Sequence, residues 1–182
     1  MDITLRPARP ADAEEMARWF TDPVDFAQWA GPDVDLPLTA AHLDAWNREA
    51  SAGRPRRCFT VTAADGRPVA YFQLVEDQRN QTVRIARFGV APDRRGKGFG
   101  TKLFAVILAT AFDELGAHRV ELGVAVENRV ARHLYERAGF VHEGTARDSS
   151  LVAGRRYSVD SMSLLRPEWR RDWATGPAAA VA

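Results

Sequence analysis

Glycines at 96, 98 and 100 alternate with Lys97 and Phe99 and follow directly on Arg94 and Arg95. They lie in the stretch Phe88-Gly-Val-Ala-Pro-Asp-Arg-Arg-Gly-Lys-Gly-Phe-Gly-Thr101. Glycine lets the main chain approach a ligand closely, so such a run can aim several N–H groups at one anionic group. The apolar residues from Leu103 onward predict a helix, whose first turn adds unsatisfied donors and the positive end of its dipole. The chemistry is that of a phosphate cradle. Two nucleotide-binding patterns fail on spacing. A Walker A loop needs four residues between its first glycine and the Gly-Lys pair, then Ser or Thr. Six residues separate Gly89 from Gly96 here, and Gly98 follows Lys97. A dinucleotide fingerprint starting at Gly96 needs a glycine at 101, which is Thr101.

Two downstream segments carry further pattern. Arg119-Val-Glu-Leu-Gly-Val-Ala-Val126 alternates apolar residues at 120, 122, 124 and 126 with small or polar ones, the pattern of a strand. Asn128 then opens a helix as its cap, with Val130, Ala131, Leu134 and Ala138 as the apolar face and Gly139 as the stop.

Taken together, these segments resemble the GNAT family of N-acetyltransferases. The loop Arg95-Gly96-Lys97-Gly98-Phe99-Gly100 after Val90-Ala91-Pro92 is similar to that family's acyl-CoA loop. Asn128 to Phe140 is similar to its Asn-x-x-Ala-x-x-x-Tyr-x-x-x-Gly-Phe element. Ile3 to Asp12 resembles the family's first strand and turn into helix, and Asp160 to Trp169 resembles the ending of the RimJ/RimL-type branch, so the likeness spans residues 2–169. It implies an α/β (α+β) GNAT fold, a single mixed central sheet of about seven strands flanked by helices. The sheet would be splayed between its fourth and fifth strands. One domain would cover 1–169, with 170–182 a mobile tail.

The resemblance implies acetyl-CoA as cofactor. Its diphosphate would meet the N–H groups of Arg95, Gly96, Lys97, Gly98, Phe99, Gly100 and Thr101, with Arg94, Arg95 and Lys97 screening charge. Phe88, Gly89 and Val90 would line the pantetheine arm, Asn128 would stand near the cofactor, and Arg132 and Arg137 could reach the ribose phosphate. Amide formation from a thioester needs a neutral amine and a protonated leaving sulfur. Tyr135, seven residues after Asn128, is the candidate acid. Glu76 and Glu121 are the candidate bases, Glu121 on the strand face opposite Val120 and Leu122. The expected reaction is acetyl transfer to a primary amine. A protein or peptide N-terminus is the first reading; alternatives are a small amine (amino sugar, polyamine or amino acid) and a noncatalytic acyl-CoA-binding domain. A homodimer stays open.

The elements that must position these groups follow from pattern. Strands are expected over 3–7, 57–63, 68–76, 82–90, 119–126, 140–147 and 155–165. Helices are expected over 13–20, from a Thr39 cap to Ala52 with Leu43 and Trp46 inward, from the loop to Leu115, and after Asn128. The section holding Pro23, Gly31, Pro32 and Pro37 reads as turns. Val83 and Ile85 against Phe88 and Val90 break the alternation of one strand, which predicts a bulge. Trp19, Trp29 and Trp46 read as core aromatics of the segment that shapes the acceptor site. Arg54, Arg56 and Arg57 read as solvated charge.

At 182 residues and 46% hydrophobic content the chain can bury one core, and a net charge of +1 gives no basis for nucleic-acid binding. Cys58 is the sole cysteine, a core residue that excludes an internal disulfide. The four histidines lack metal-ligand spacing, so no metal is expected. Without a signal region or a membrane-length apolar run, the expected location is the cytoplasm.

Overall fold

The computed structural model describes residues 3–31, 34, 36–49 and 55–174. Seven strands form one sheet: β1 (Ile3–Pro7), β2 (Arg56–Ala63), β3 (Pro68–Asp77), β4 (Thr82–Val90), β5 (Arg119–Ala125), β6 (Val141–Val152) and β7 (Arg155–Leu165). Their order is β1-β2-β3-β4-β5-β7-β6. Only β4 and β5 run parallel, because the chain returns between them through a helix. Their register spans just Thr82–Arg84 against Arg119–Glu121. Beyond Arg84 the two strands part, giving the expected splay.

The bulge is also where the broken alternation put it. Tyr71 pairs with Gly89 and Gln73 with Ala86, so Phe72 faces two residues of β4, Arg87 and Phe88. Arg87 takes φ 50°, and the extra residue sets Phe88 against Phe104, ring centroids 5.6 Å apart. The β6–β7 turn at Ala153 and Gly154 has φ 48° and 78°, the paired positive values of a tight two-residue hairpin. This closes β6 at Val152 rather than at 147.

The main helix α4 (Phe99–Ala109) continues through a wider turn at Thr110–Glu114. Phe104, Ile107, Leu108 and Phe112 are fully buried, each contributing about 1.5–3 kcal/mol. That packing anchors the glycine loop at its N-terminus. The helix α5 (Arg129–Arg137) is capped by Asn128, whose Oδ1 accepts from the Ala131 N–H at 3.1 Å. Its expected apolar face is corrected at one position: Val130 is 86% exposed.

The N-terminal region departs most from expectation. The helix expected over 13–20 is α1 (Ala13–Met16) between two 3-10 turns. The section read as turns holds α2 (Pro23–Ala30): the Asp22 side chain accepts from the N–H groups of Val24 and Asp25, and Pro23 occupies the first position, where its missing N–H costs nothing. α3 (Ala40–Arg48) begins after Thr39 and buries Leu43 and Trp46, ending before the expected Ala52. Residues 50–54 lie outside the described residues. Within residues 170–174, expected to be mobile, Trp173 is buried and meets Phe104 edge-on, while Arg170, Arg171 and Asp172 are exposed. The rest of that segment lies outside the described residues. No helix among the described residues is long and apolar enough to cross a membrane.

Candidate active site

The loop between β4 and α4 is held by its own cations. Arg95 Nε donates to the Val90 carbonyl at 2.8 Å, and its Nη2 reaches the Trp19 carbonyl at 3.4 Å. Lys97 Nζ donates to the Asp93 carbonyl at 3.1 Å, and Arg67 pairs with Asp93 at 2.8 Å. Arg94 lies 3.7 Å from the same carboxylate. The side chains of Arg95 and Lys97 therefore shape the loop rather than reach outward for a ligand. Their backbone does the opposite. Among the described residues, the N–H groups of Gly96, Lys97, Gly98, Phe99, Gly100 and Thr101 find no acceptor in the chain.

Gly96 and Gly98 hold φ 71° and 73°, and a Cβ at either would meet nothing within 4 Å. Glycine is needed there for backbone conformation, and the space beside it stays open. Six convergent donors at a helix start, with open space before them, fit a diphosphate. The residues present thus suit coenzyme A.

Phe88, Gly89 and Val90 form the free length of β4 facing the gap. Gly89 is required by packing: a Cβ there would lie 2.6 Å from Trp29 Nε1. The Trp29 indole donates to the Arg87 carbonyl at 2.7 Å and stacks on Phe20 at 4.8 Å, so an aromatic ring clamps the bulge. The reading of Trp29 as a core aromatic holds, with this added bond.

Tyr135 is buried, 5.1 Å from Phe104 and 6.0 Å from Phe140 between ring centroids. Its hydroxyl makes no hydrogen bond among the described residues. Burial pushes the phenol well above its ordinary range, so it keeps its proton. A tyrosine in this state can donate a proton and cannot serve as a resting base.

The two carboxylates separate. Glu76 pairs with Val83, and Val83 with Val120, so Glu76 shares their sheet face, opposite that of Glu121. It is buried and accepts from Arg57 Nε at 2.5 Å. Glu121 stands beside Arg84 on the other face, 3.1 Å from Arg119, and lines an open depression of about 290 Å³ with Thr82 and Arg84. Glu76 borders the same depression but is buried and tied to Arg57. Arg132 is likewise corrected: it pairs with Glu136 at 2.9 Å and with buried Asp160 at 2.6 Å, so it ties α5 to β7. Arg137 is exposed on α5.

Arg56 is a further correction. It is only 19% exposed and bonds Gln73 and Glu49 instead of standing in solvent. Burial raises the Cys58 thiol, in keeping with a core residue. No cluster of metal-ligating side chains occurs among the described residues.

A split parallel pair, a bulged fourth strand and an N–H-lined loop at a helix start define an acyl-CoA-binding fold. The chain belongs to the acetyltransferase (GNAT) family, whose model matches residues 15–140. It is an N-acetyltransferase that uses acetyl-CoA. It is similar to the spermidine N(1)-acetyltransferase of Vibrio cholerae, 34% identical over 128 residues, 69% of this chain and 72% of the relative. The L-amino acid N-acetyltransferase AaaT of Escherichia coli is 28% identical over 167 residues, 91% of this chain and 98% of the relative. A crystal structure of spermidine N-acetyltransferase from Vibrio cholerae in complex with CoA and spermine superposes with a TM-score of 0.76 at 26% identity, covering 92% and 97% of the two chains. These matches place the chain in the family without singling out the RimJ/RimL-type branch.

Proposed function

We propose that this N-acetyltransferase acetylates the primary amine of a small molecule. The single observation that carries its acetyl transfer is the run of N–H groups from Gly96 to Thr101 without an acceptor among the described residues, set where β4 and β5 part. The names of the relatives support a small acceptor, polyamine or amino acid, over the peptide N-terminus first expected. Bound acetyl-CoA supplies an acetyl group activated as a thioester. Gly96 to Thr101 hold the diphosphate, the backbone of Phe88 and Val90 aligns the pantetheine amides, and Asn128 keeps α5 beside the gap. Tyr135 Oη holds the proton that the departing sulfur needs, kept there by burial. Glu121, steadied by Arg119, is the remaining carboxylate able to take a proton from the amine through water.

Release of free coenzyme A on incubation with acetyl-CoA and an amine panel, with the acetylated product weighed by mass spectrometry, tests this reading. Product on a peptide N-terminus but on no small amine would overturn the choice of acceptor. Binding of acetyl-CoA without turnover would favour the noncatalytic alternative.

A further inference from the structure

Two guanidinium groups converge on one amide oxygen beside the bulge. Arg87 Nη1 donates to Gln73 Oε1 at 2.8 Å, and Arg56 Nη1 donates to the same oxygen at 2.5 Å. Gln73 is wholly buried, and its Nε2 donates to the Tyr71 hydroxyl at 2.7 Å, which fixes the oxygen toward the arginines. Arg56 meets one carboxylate, Glu49, at 3.0 Å, and its Nε is buried without a partner. Arg87 pairs with no carboxylate among the described residues. Its Nε donates to the Ala30 carbonyl at 2.9 Å and its plane lies 4.2 Å over the Trp46 ring, while Nη2 makes no hydrogen bond there.

Among the described residues, two guanidinium groups thus share one paired carboxylate, Glu49. Burial, and then the Arg56 charge, both act against the charged form of Arg87. Arg87 also holds φ 50°, a left-handed conformation that strains an L side chain where glycine would be free of strain. Glu49, already paired with Arg56, favours the charged form of Arg87 only from a distance, and Glu121 and Glu143 are both paired with Arg119. Arg84, beside Glu121, also pairs with no carboxylate among the described residues. A strained, half-buried cation whose Nη2 has no partner among the described residues, next to the Phe88–Val90 segment, suits an oxyanion brought by the substrate.

We propose that Arg87, backed by Arg56, receives the carboxylate of the acetyl acceptor, so that the acceptor is a short amine also bearing a carboxylate, as in an amino acid. A polycation would instead bring positive charge against these guanidinium groups. The assignment rests on the acetyl-transfer reading above and narrows its acceptor.

The test measures acetyl-CoA consumption by the full chain with L-amino acids, their amides, the matching decarboxylated amines and spermidine. Calorimetry of acetyl-CoA binding runs in parallel. The expected result is a kcat/KM about 100-fold or more higher for the best acid than for its amide or decarboxylated form, with spermidine no better than these. Arg87→Met should lower the rate with the acid about 100-fold and abolish most of the acid's advantage over its amide, in protein that still binds acetyl-CoA. Protein that binds acetyl-CoA but turns over spermidine or the amides as well as the acids, or acetylates no carboxylate-bearing amine, overturns the subsite. Protein that binds no acetyl-CoA overturns the acetyl-transfer reading instead. The acid-to-amide comparison on the unaltered chain decides the matter even if Arg87→Met does not fold.

Discussion

Replacing Gly89 with alanine should unlatch the bulge. The new Cβ would lie 2.6 Å from Trp29 Nε1 and 3.0 Å from Cδ1, well inside contact distance. Gly89 is outside the left-handed region, so the penalty is purely steric. Trp29 has little room to yield. It is 8% exposed, stacks on Phe20 at 4.8 Å and meets Tyr71 and Trp46 edge-on at 5.8 and 5.9 Å. Moving the indole also breaks its 2.7 Å bond to the Arg87 carbonyl. Overpacking of this kind costs about 1–3 kcal/mol and the lost bond about 0.5–1.5, together roughly 2–4 kcal/mol. For a chain of this size that lowers Tm by about 5–15 °C. Thermal melts of Gly89→Ala, Trp29→Ala and the double variant form the assay. Alanine at 29 removes every clashing ring atom, so the double variant should be less destabilised than the sum by about 1 kcal/mol or more. A Gly89→Ala melt within about 1 °C of the parent, at the precision such size scaling allows, would refute the clamp.

Tyr135→Phe keeps the ring against Phe104 but removes the proton, and should lower kcat roughly 100-fold or more with acetyl-CoA affinity within about 3-fold; unchanged turnover in a stopped assay removes Tyr135 from the mechanism. Gly98→Ala puts a side chain at φ 73° and into open space, so acetyl-CoA affinity by calorimetry should weaken about 10-fold while the melt of the free protein moves by only a few degrees. Burial alone would raise the Asp12 carboxyl, but hydrogen bonds from Arg6, the Arg9 N–H and Thr60 hold it below its ordinary value. Its stabilisation is therefore complete above the unfolded pKa of about 4 and lost as pH falls through the lower folded value. Urea midpoints between neutral and acid pH should show that loss in the parent and a flatter profile in Asp12→Asn.

Local signals carried much of this protein. The glycine spacing, the alternation of β5 and the Asn128 cap each depend on neighbours a few residues away, so they can be read in order along the chain. The broken alternation of β4 even located the bulge, though not the clamp that holds it. α2 escaped because proline and glycine read as turn signals, while the Asp22-Pro23 pair that starts a helix uses those same residue types.

What the amino-acid order determined by itself was the backbone of the cofactor site: a strand, donors on a glycine loop and a helix behind it, all within one continuous segment. Tertiary structure alone decided the side chains. Arg95 and Lys97 turned back onto carbonyls, Arg132 found Asp160 across 28 residues, and Glu76 was taken up by Arg57. Arg56, Gln73 and Arg87 come from three strands and meet only because antiparallel register sets them side by side. A charge reads as solvated or buried according to what lies across the sheet, and that neighbour is distant in sequence.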